Sequence, residues 1–214
     1  MFLKFPVVHL RAIMTEKILK TAADLFLSYG FKSVTMDDIA NTLGISKKTI
    51  YMHFENKTKL VEASTLYMFE FISHGITCIC NEEKNPIEEL YEIKKFLMLH
   101  LKDEKSSPQY QLQKYYPKIF ETLKSKQFSL MQDCVSDNIA RGIRTGLFRS
   151  NLNIDFISKI YFHCTIGLKD KELFPLNNFS MNELLNNYLE YHLRGISTTK
   201  GLEKLTEFIN TNQS

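Results

Sequence analysis

Thr35-Met36-Asp37-Asp38-Ile39-Ala40-Asn41-Thr42-Leu43-Gly44-Ile45-Ser46-Lys47-Lys48-Thr49-Ile50-Tyr51-Met52-His53-Phe54 carries the strongest local pattern in this chain of 214 residues. A Thr followed three residues later by an acid, Thr35 and Asp38, is the pattern of a capping box. Met36, Ile39, Ala40 and Leu43 then repeat at helical spacing, so a short helix is expected that Gly44 ends. Ser46 is placed to cap a second helix over residues 47–53, with Ile50 and Phe54 inward. Two helices joined by a tight turn need three things: a small residue at their crossing, a residue that tolerates positive φ, and a branched apolar side chain facing back. Ala40, Gly44 and Ile50, four and then six residues apart, fill those places. The other face of the second helix carries Lys47, Lys48, Thr49, Tyr51 and His53. Cations for phosphates, hydroxyls for phosphates or base edges, and a Tyr that reaches the backbone are what a helix docked in a DNA groove requires. Any one of these lysines alone reads equally well as a solvated surface residue. The set, beside the Ala-Gly-Ile spacing, reads as a helix-turn-helix.

The flanks extend the same helical reading. Upstream, Ile18, Ala22, Leu25 and Phe26 place a helix over residues 15–29, closed by Gly30. Downstream, Asn56 caps a longer helix through Leu60, Ala63, Tyr67, Phe71 and Ile76 to Cys80. Lys57 lies in its first turn, where amides and an ammonium can share a phosphate. Pro86 starts the next helix, with Ile87, Leu90, Ile93, Leu97 and Leu101 on one side, running into a charged stretch over residues 102–105 and a loop at Ser106-Ser107-Pro108. A short helix is expected before Pro117, and a long one after it through Ile119, Leu123, Leu130, Cys134 and Ile139. Helices over residues 155–169 and 181–193 and a short one near residues 199–209 close the chain. No strand pattern or repeat interrupts them, so the fold class is all-α. A head of residues 15–60 precedes a helical body of residues 61–214, and residues 1–14 read as a flexible arm or an upstream start.

Charge supports this division. Residues 1–60 hold nine Lys and Arg against five Asp and Glu, whereas residues 61–214 hold eighteen against nineteen. The positive excess thus sits in the head, where an anionic partner is expected. The apolar opening is broken by Lys4, Pro6, His9 and Arg11 and lacks a small-residue cleavage site. The longest later apolar run contains Glu70 and His74. A soluble cytoplasmic protein is the expectation, with its four cysteines (Cys78, Cys80, Cys134 and Cys164) as reduced thiols. There is no HExxH, no paired-Cys zinc spacing, no Gly-rich phosphate loop and no nucleophile elbow. Catalytic residues, metal ligands and cofactors are therefore not expected.

The residues also carry a resemblance. Ile18-Leu19-Lys20-Thr21-Ala22-Ala23-Asp24-Leu25-Phe26, Tyr29-Gly30-Phe31, Thr35 to Ala40 and Gly44-Ile45-Ser46-Lys47-Lys48-Thr49-Ile50-Tyr51-Met52-His53-Phe54-Glu55-Asn56-Lys57 together resemble the N-terminal domain of the TetR family of bacterial transcriptional regulators. That likeness implies a dimer of subunits with about nine helices, each a three-helix DNA-binding domain joined to a larger ligand-binding and dimerisation domain. It implies a palindromic operator, with repression as the family default. Carried over by position, Thr35 contacts a phosphate, Ser46, Lys47, Lys48 and Thr49 face the groove, and Tyr51, His53 and Lys57 touch the backbone. Met52 departs from the aromatic or Arg common at its place, and Lys48 from a small residue.

In the body, Phe156, Ile160, Tyr161, Cys164 and Leu168, then Leu184, Leu185, Tyr188, Leu189 and His192, are apolar over more of each helix than one-sided burial needs. Phe156, Ile160, Cys164, Leu184, Leu185, Tyr188, Leu189 and His192 are the candidate dimer interface, which the resemblance implies is a four-helix bundle. Candidates for a small-molecule effector pocket are Phe71, His74, Phe96, His100, Phe128, Met131, Tyr161 and His163. The helix from Leu60 to Cys80 would be the lever between effector and DNA, altering the ~34–36 Å separation at which two heads match successive grooves. Two alternatives stay open: an all-α ligand- or protein-binding module with a non-functional head, and an effector-independent or thiol-responsive regulator acting through Cys78 or Cys134.

Overall fold

The computed structural model describes residues 5–100, 108–170, 172–175 and 177–212. The described residues form ten α-helices: α1 (Phe5–Tyr29), α2 (Met36–Leu43), α3 (Lys47–Tyr51), α4 (Lys57–Asn81), α5 (Pro86–His100), α6 (Pro108–Tyr115), α7 (Pro117–Arg144), α8 (Ile154–Gly167), α9 (Met181–Ile196) and α10 (Thr199–Asn212). An isolated bridge, Phe148 to Ser197, is the one extended pairing among them. The expected charged stretch over residues 102–105 and the loop at Ser106-Ser107 lie outside the described residues. No described helix is long and apolar enough to cross a membrane.

Most helix ends fall where their capping residues predict. Thr35 accepts a hydrogen bond from the Asp38 amide while Asp38 accepts from the Thr35 amide, a complete capping box. Gly44 stops α2 at φ 65°, in the left-handed region. Ser46 caps α3, Asn56 accepts from the Lys59 amide at the start of α4, and Asn153 and Ser180 cap α8 and α9. The largest departure is α1, which begins at Phe5 and so takes in most of the segment read as an arm. Pro6 does not prevent this, because a first-turn amide has no intrahelical acceptor to lose.

The chain divides into two compact units. The first comprises residues 1–72 and 101–125. Its core joins Ile18, Ala22 and Phe26 of α1 to Ile39 and Ala40 of α2, Ile50 of α3 and Leu60 of α4. Leu112 of α6 and Ile119 and Phe120 of α7 complete it, so the unit is larger than the 15–60 head expected from sequence. Each large apolar side chain buried here contributes roughly 1.5–3 kcal/mol before entropy is counted. Gln111 of α6 fits over Gly30 and accepts from the Lys32 amide at 3.0 Å.

The second unit comprises residues 73–100 and 126–214. Ile87, Leu90, Val135, Ile139, Phe148, Leu189, Leu193 and Leu205 are among its core residues. A polar tie crosses that core: the Asn138 amide donates to Glu89 at 2.7 Å and to the Pro86 carbonyl at 2.9 Å, and Arg141 ion-pairs with the fully buried Glu89. The buried carboxylate is thereby paired on both sides, which its burial demands.

Candidate nucleic-acid interface

Within the first unit, α2 and α3 meet as a helix-turn-helix, and most of the residues expected to touch DNA have work in the free chain. The Thr35 hydroxyl accepts from the Asp38 amide and gives its single proton to the Asp38 carboxylate at 2.8 Å. The two bonds that Asp38 accepts from Thr35, backbone first, hold its carboxyl below the ordinary range. Ser46 accepts from the Thr49 amide, and the Ser46 and Thr49 hydroxyls lie 2.8 Å apart. These contacts order a helix of only five residues, too short to persist unaided.

The cations differ in how far they are engaged. The Lys47 ammonium lies 2.7 Å from Asp37 of α2, a pair exposed on both sides, and that carboxylate raises the Lys47 pKa. The Lys48 side chain is exposed with no hydrogen bond or ion pair among the described residues. Lys57 donates to the Lys32 carbonyl at 3.4 Å, and partial burial lowers its pKa despite nearby Asp38. Tyr51 and Met52 are exposed, at 45% and 58%. Lys48, Tyr51 and Met52 therefore present the unengaged side chains of α3 and its end.

His53 is braced from α1. Its Nδ1 lies 2.8 Å from the Thr15 hydroxyl, which itself donates to the Arg11 carbonyl. With that hydroxyl proton committed, Nδ1 is the donor of the pair, leaving Nε2 as the ring's remaining polar atom. Burial first, and then the Arg11 charge, keep His53 below the usual imidazole range. Arg11 also donates to the Met52 carbonyl at the end of α3, at 3.2 Å. Arg11, Thr15 and Asp37 are thus parts of the site that sequence reading missed. A basic residue near a helix C-terminus is a known stabiliser, but nothing local shows that residues 11 and 52 meet.

The second unit places the remaining candidates unevenly. Leu184, Tyr188, Leu189 and His192 were expected at a dimer interface, but all are buried in the chain's own core. Their spacing, 184, 188–189 and 192, is one helical stripe, and a single stripe is satisfied by a single core. Tyr161, Tyr188 and His192 form an aromatic cluster, with Tyr161 and His192 centroids 4.9 Å apart. Leu185 and Cys164 are partly buried against the same core, whereas Phe156 and Ile160 of α8 are exposed at 58% and 41%. Of the effector candidates, Phe71 lies exposed in the first unit. Phe96 packs on His100 and over Gly75, Phe128 meets Phe162 edge-on, Met131 borders the core, and His74 and His163 are exposed. They are thus spread over several environments. A cleft of about 650 Å³ in the second unit is lined instead by residues including Lys84, Arg141, Arg144, Lys200 and Lys204, none of them a candidate from sequence.

Comparison with known proteins agrees with this architecture. The sequence signature of bacterial regulatory proteins of the tetR family matches residues 18–64. The negative transcriptional regulator IcaR of the biofilm operon icaADBC from Staphylococcus aureus (strain Newman) is 33% identical over 79 residues, which are 37% of this chain. The match spans 42% of the length of that relative. The HTH-type transcriptional repressor KstR2 of Mycolicibacterium smegmatis is 23% identical over 200 residues, 87% of this chain and 92% of that protein. A TetR-family regulator from Cytophaga hutchinsonii superposes with a TM-score of 0.70 at 16% identity, covering 89% of this chain and 98% of its own. Residues 18–64 thus carry the signature of the tetR family of bacterial regulatory proteins over the helix-turn-helix, and the chain shares the fold of TetR-family regulators along nearly its whole length.

Proposed function

We propose that this protein is a sequence-specific DNA-binding transcriptional regulator, acting as a repressor, that binds a palindromic operator as a homodimer. The observation that carries the reading is a doubly braced α3. Capped by Ser46 and held at its far end by Arg11, it presents Lys48, Tyr51 and Met52 outward, with Lys47 and Lys57 beside them. Such a helix is preorganised, so little ordering is left to be done in the groove. Thr35, Ser46, Thr49 and His53 serve mainly to set its position, and any contact they make with DNA shares atoms already used for capping. The exposed Phe156 and Ile160 of α8 are the apolar surface offered to a second subunit. A small molecule bound in the second unit shifts the population of two positions of α4, and so the separation of the paired heads.

Selection from a randomised duplex pool at two salt concentrations tests the reading. A palindrome with regular half-site spacing, retained at low salt and lost steeply as salt rises, is the expected result. No enrichment at low salt would overturn it.

A further inference from the structure

Two of the four free cysteines meet. Cys80, in the last turn of α4, and Cys134, midway along α7, place their sulfurs 2.8 Å apart, although 54 positions separate them in sequence. Both belong to the second unit and both are partly buried. The other two thiols are occupied elsewhere. Cys78 is exposed, 3.7 Å from the imidazole of His74, and Cys164 lies beside Tyr188 in the aromatic cluster.

We propose that Cys80 and Cys134 form an oxidant-sensing site, in which a hydroperoxide oxidises Cys80 and Cys134 resolves the product to a disulfide that links α4 to α7. At 2.8 Å the two sulfurs are in direct contact, with either thiol able to donate to the other. The contact with Cys134 draws the Cys80 pKa down, while the same contact and burial push that of Cys134 up. Arg141 favours the thiolate, and Glu89 and Asp137 oppose it. The sulfur contact places each thiol to resolve an oxidised partner, and the direction of the shifts favours Cys80 as the attacking thiolate.

The chemistry balances in two steps. The Cys80 thiolate attacks the nearer oxygen of the hydroperoxide, the O–O bond breaks, and the departing alkoxide or hydroxide takes up a proton, leaving a sulfenic acid. Cys134 then loses its proton, its sulfur displaces the sulfenic oxygen as water, and the S–S bond forms. Overall, two thiols lose two electrons and two protons to one peroxide bond. The sulfurs need to close by less than about 1 Å to reach the normal bond length near 2.0 Å. A dithiol reverses the reaction by exchange.

Any effect of the bond on DNA affinity rests on the regulator reading above, but the disulfide itself does not. The reduced full-length chain is treated with a few equivalents of hydrogen peroxide, alkylated, and measured by intact mass and peptide mapping. The expected result is loss of two of the four alkylatable thiols, a linked pair of peptides carrying Cys80 and Cys134, and full recovery with dithiothreitol. Cys80→Ser and Cys134→Ser should abolish the linked species, and Cys78→Ser and Cys164→Ser should leave it intact. A link to Cys78 or Cys164, sulfinic acid at Cys80 without a link, or continued alkylation of both thiols overturns the proposal. Retention of the selected duplex by the untreated chain reports separately on the regulator reading.

Discussion

Lys47 reaches the interface already paired, its ammonium 2.7 Å from the Asp37 carboxylate. In the proposed complex, turning to a DNA phosphate would leave behind a carboxylate that must gather a counter-ion of its own. The ion released from DNA is then offset by the ion taken up at Asp37, and Lys47 adds almost nothing to the salt dependence of binding. In Asp37→Asn that compensation is gone, so each head releases about 0.9 of an ion more. For a dimer with two heads, the slope of log K against log salt should steepen by about 1.8, and a fourfold rise in salt should weaken the variant about twelvefold more than the parent. Fluorescence anisotropy of a labelled operator at 50, 100 and 200 mM salt measures this directly. Asp37→Asn/Lys47→Ala should restore the parental slope. The fold should tolerate the change, because exposed ion pairs contribute little. If the slopes of parent and Asp37→Asn coincide, the pair persists on DNA as a brace for α3, and the counter-ion reasoning is refuted.

Three other perturbations have definite expected outcomes. Gly44→Ala meets no atom within 4 Å, so backbone strain at φ 65° alone should destabilise the first unit, by about 1–2 kcal/mol in urea titrations. Gly44→Asn should recover most of the loss, since Asn tolerates that conformation. Burial holds His192 at about 4 in the folded chain, against about 6.5 when unfolded, so its stabilising effect is present above pH 6.5 and fades as pH falls towards 4, by roughly 3 kcal/mol. His192→Phe should flatten the pH dependence of the melting temperature over that window, and an unchanged profile would show that His192 is not its source. Phe156→Glu/Ile160→Glu should yield a folded monomer by sedimentation with weakened operator binding, and an unaltered dimer would place the interface elsewhere.

Where sequence reading succeeded, the information was local. Thr35 with Asp38, Gly44, Ser46, Asn56, Pro86 and Pro117 each act within one helical turn, and the observed helix ends follow them to within a residue or two. What escaped was non-local. Leu112, Ile119 and Phe120 return to the first core from across a break of some fifty residues, which periodicity does not encode. The links from Arg11 to Met52, from Asp37 to Lys47 and from Cys80 to Cys134 likewise join different helices. The dimer candidates show a different limit. An apolar stripe shows that a helix face is buried, not which molecule buries it, and Leu184, Tyr188, Leu189 and His192 are buried within the chain itself.

The tight engagement of α3 also limits how such a protein can change its target. Ser46 and Thr49 are bound to each other, Ile50 is wholly buried, and Lys47 is tied to Asp37. Altering the cap or Ile50 disturbs the helix before it alters what the helix reads, and altering Lys47 changes its pairing with Asp37 as well as its reach to DNA. Lys48, Tyr51 and Met52 alone combine exposure with freedom from such duties. Divergence between duplicated copies, or deliberate reprogramming in the laboratory, has three inexpensive letters to rewrite, and a library confined to them should retain folding in nearly every member while spreading widely in the sequences recognised.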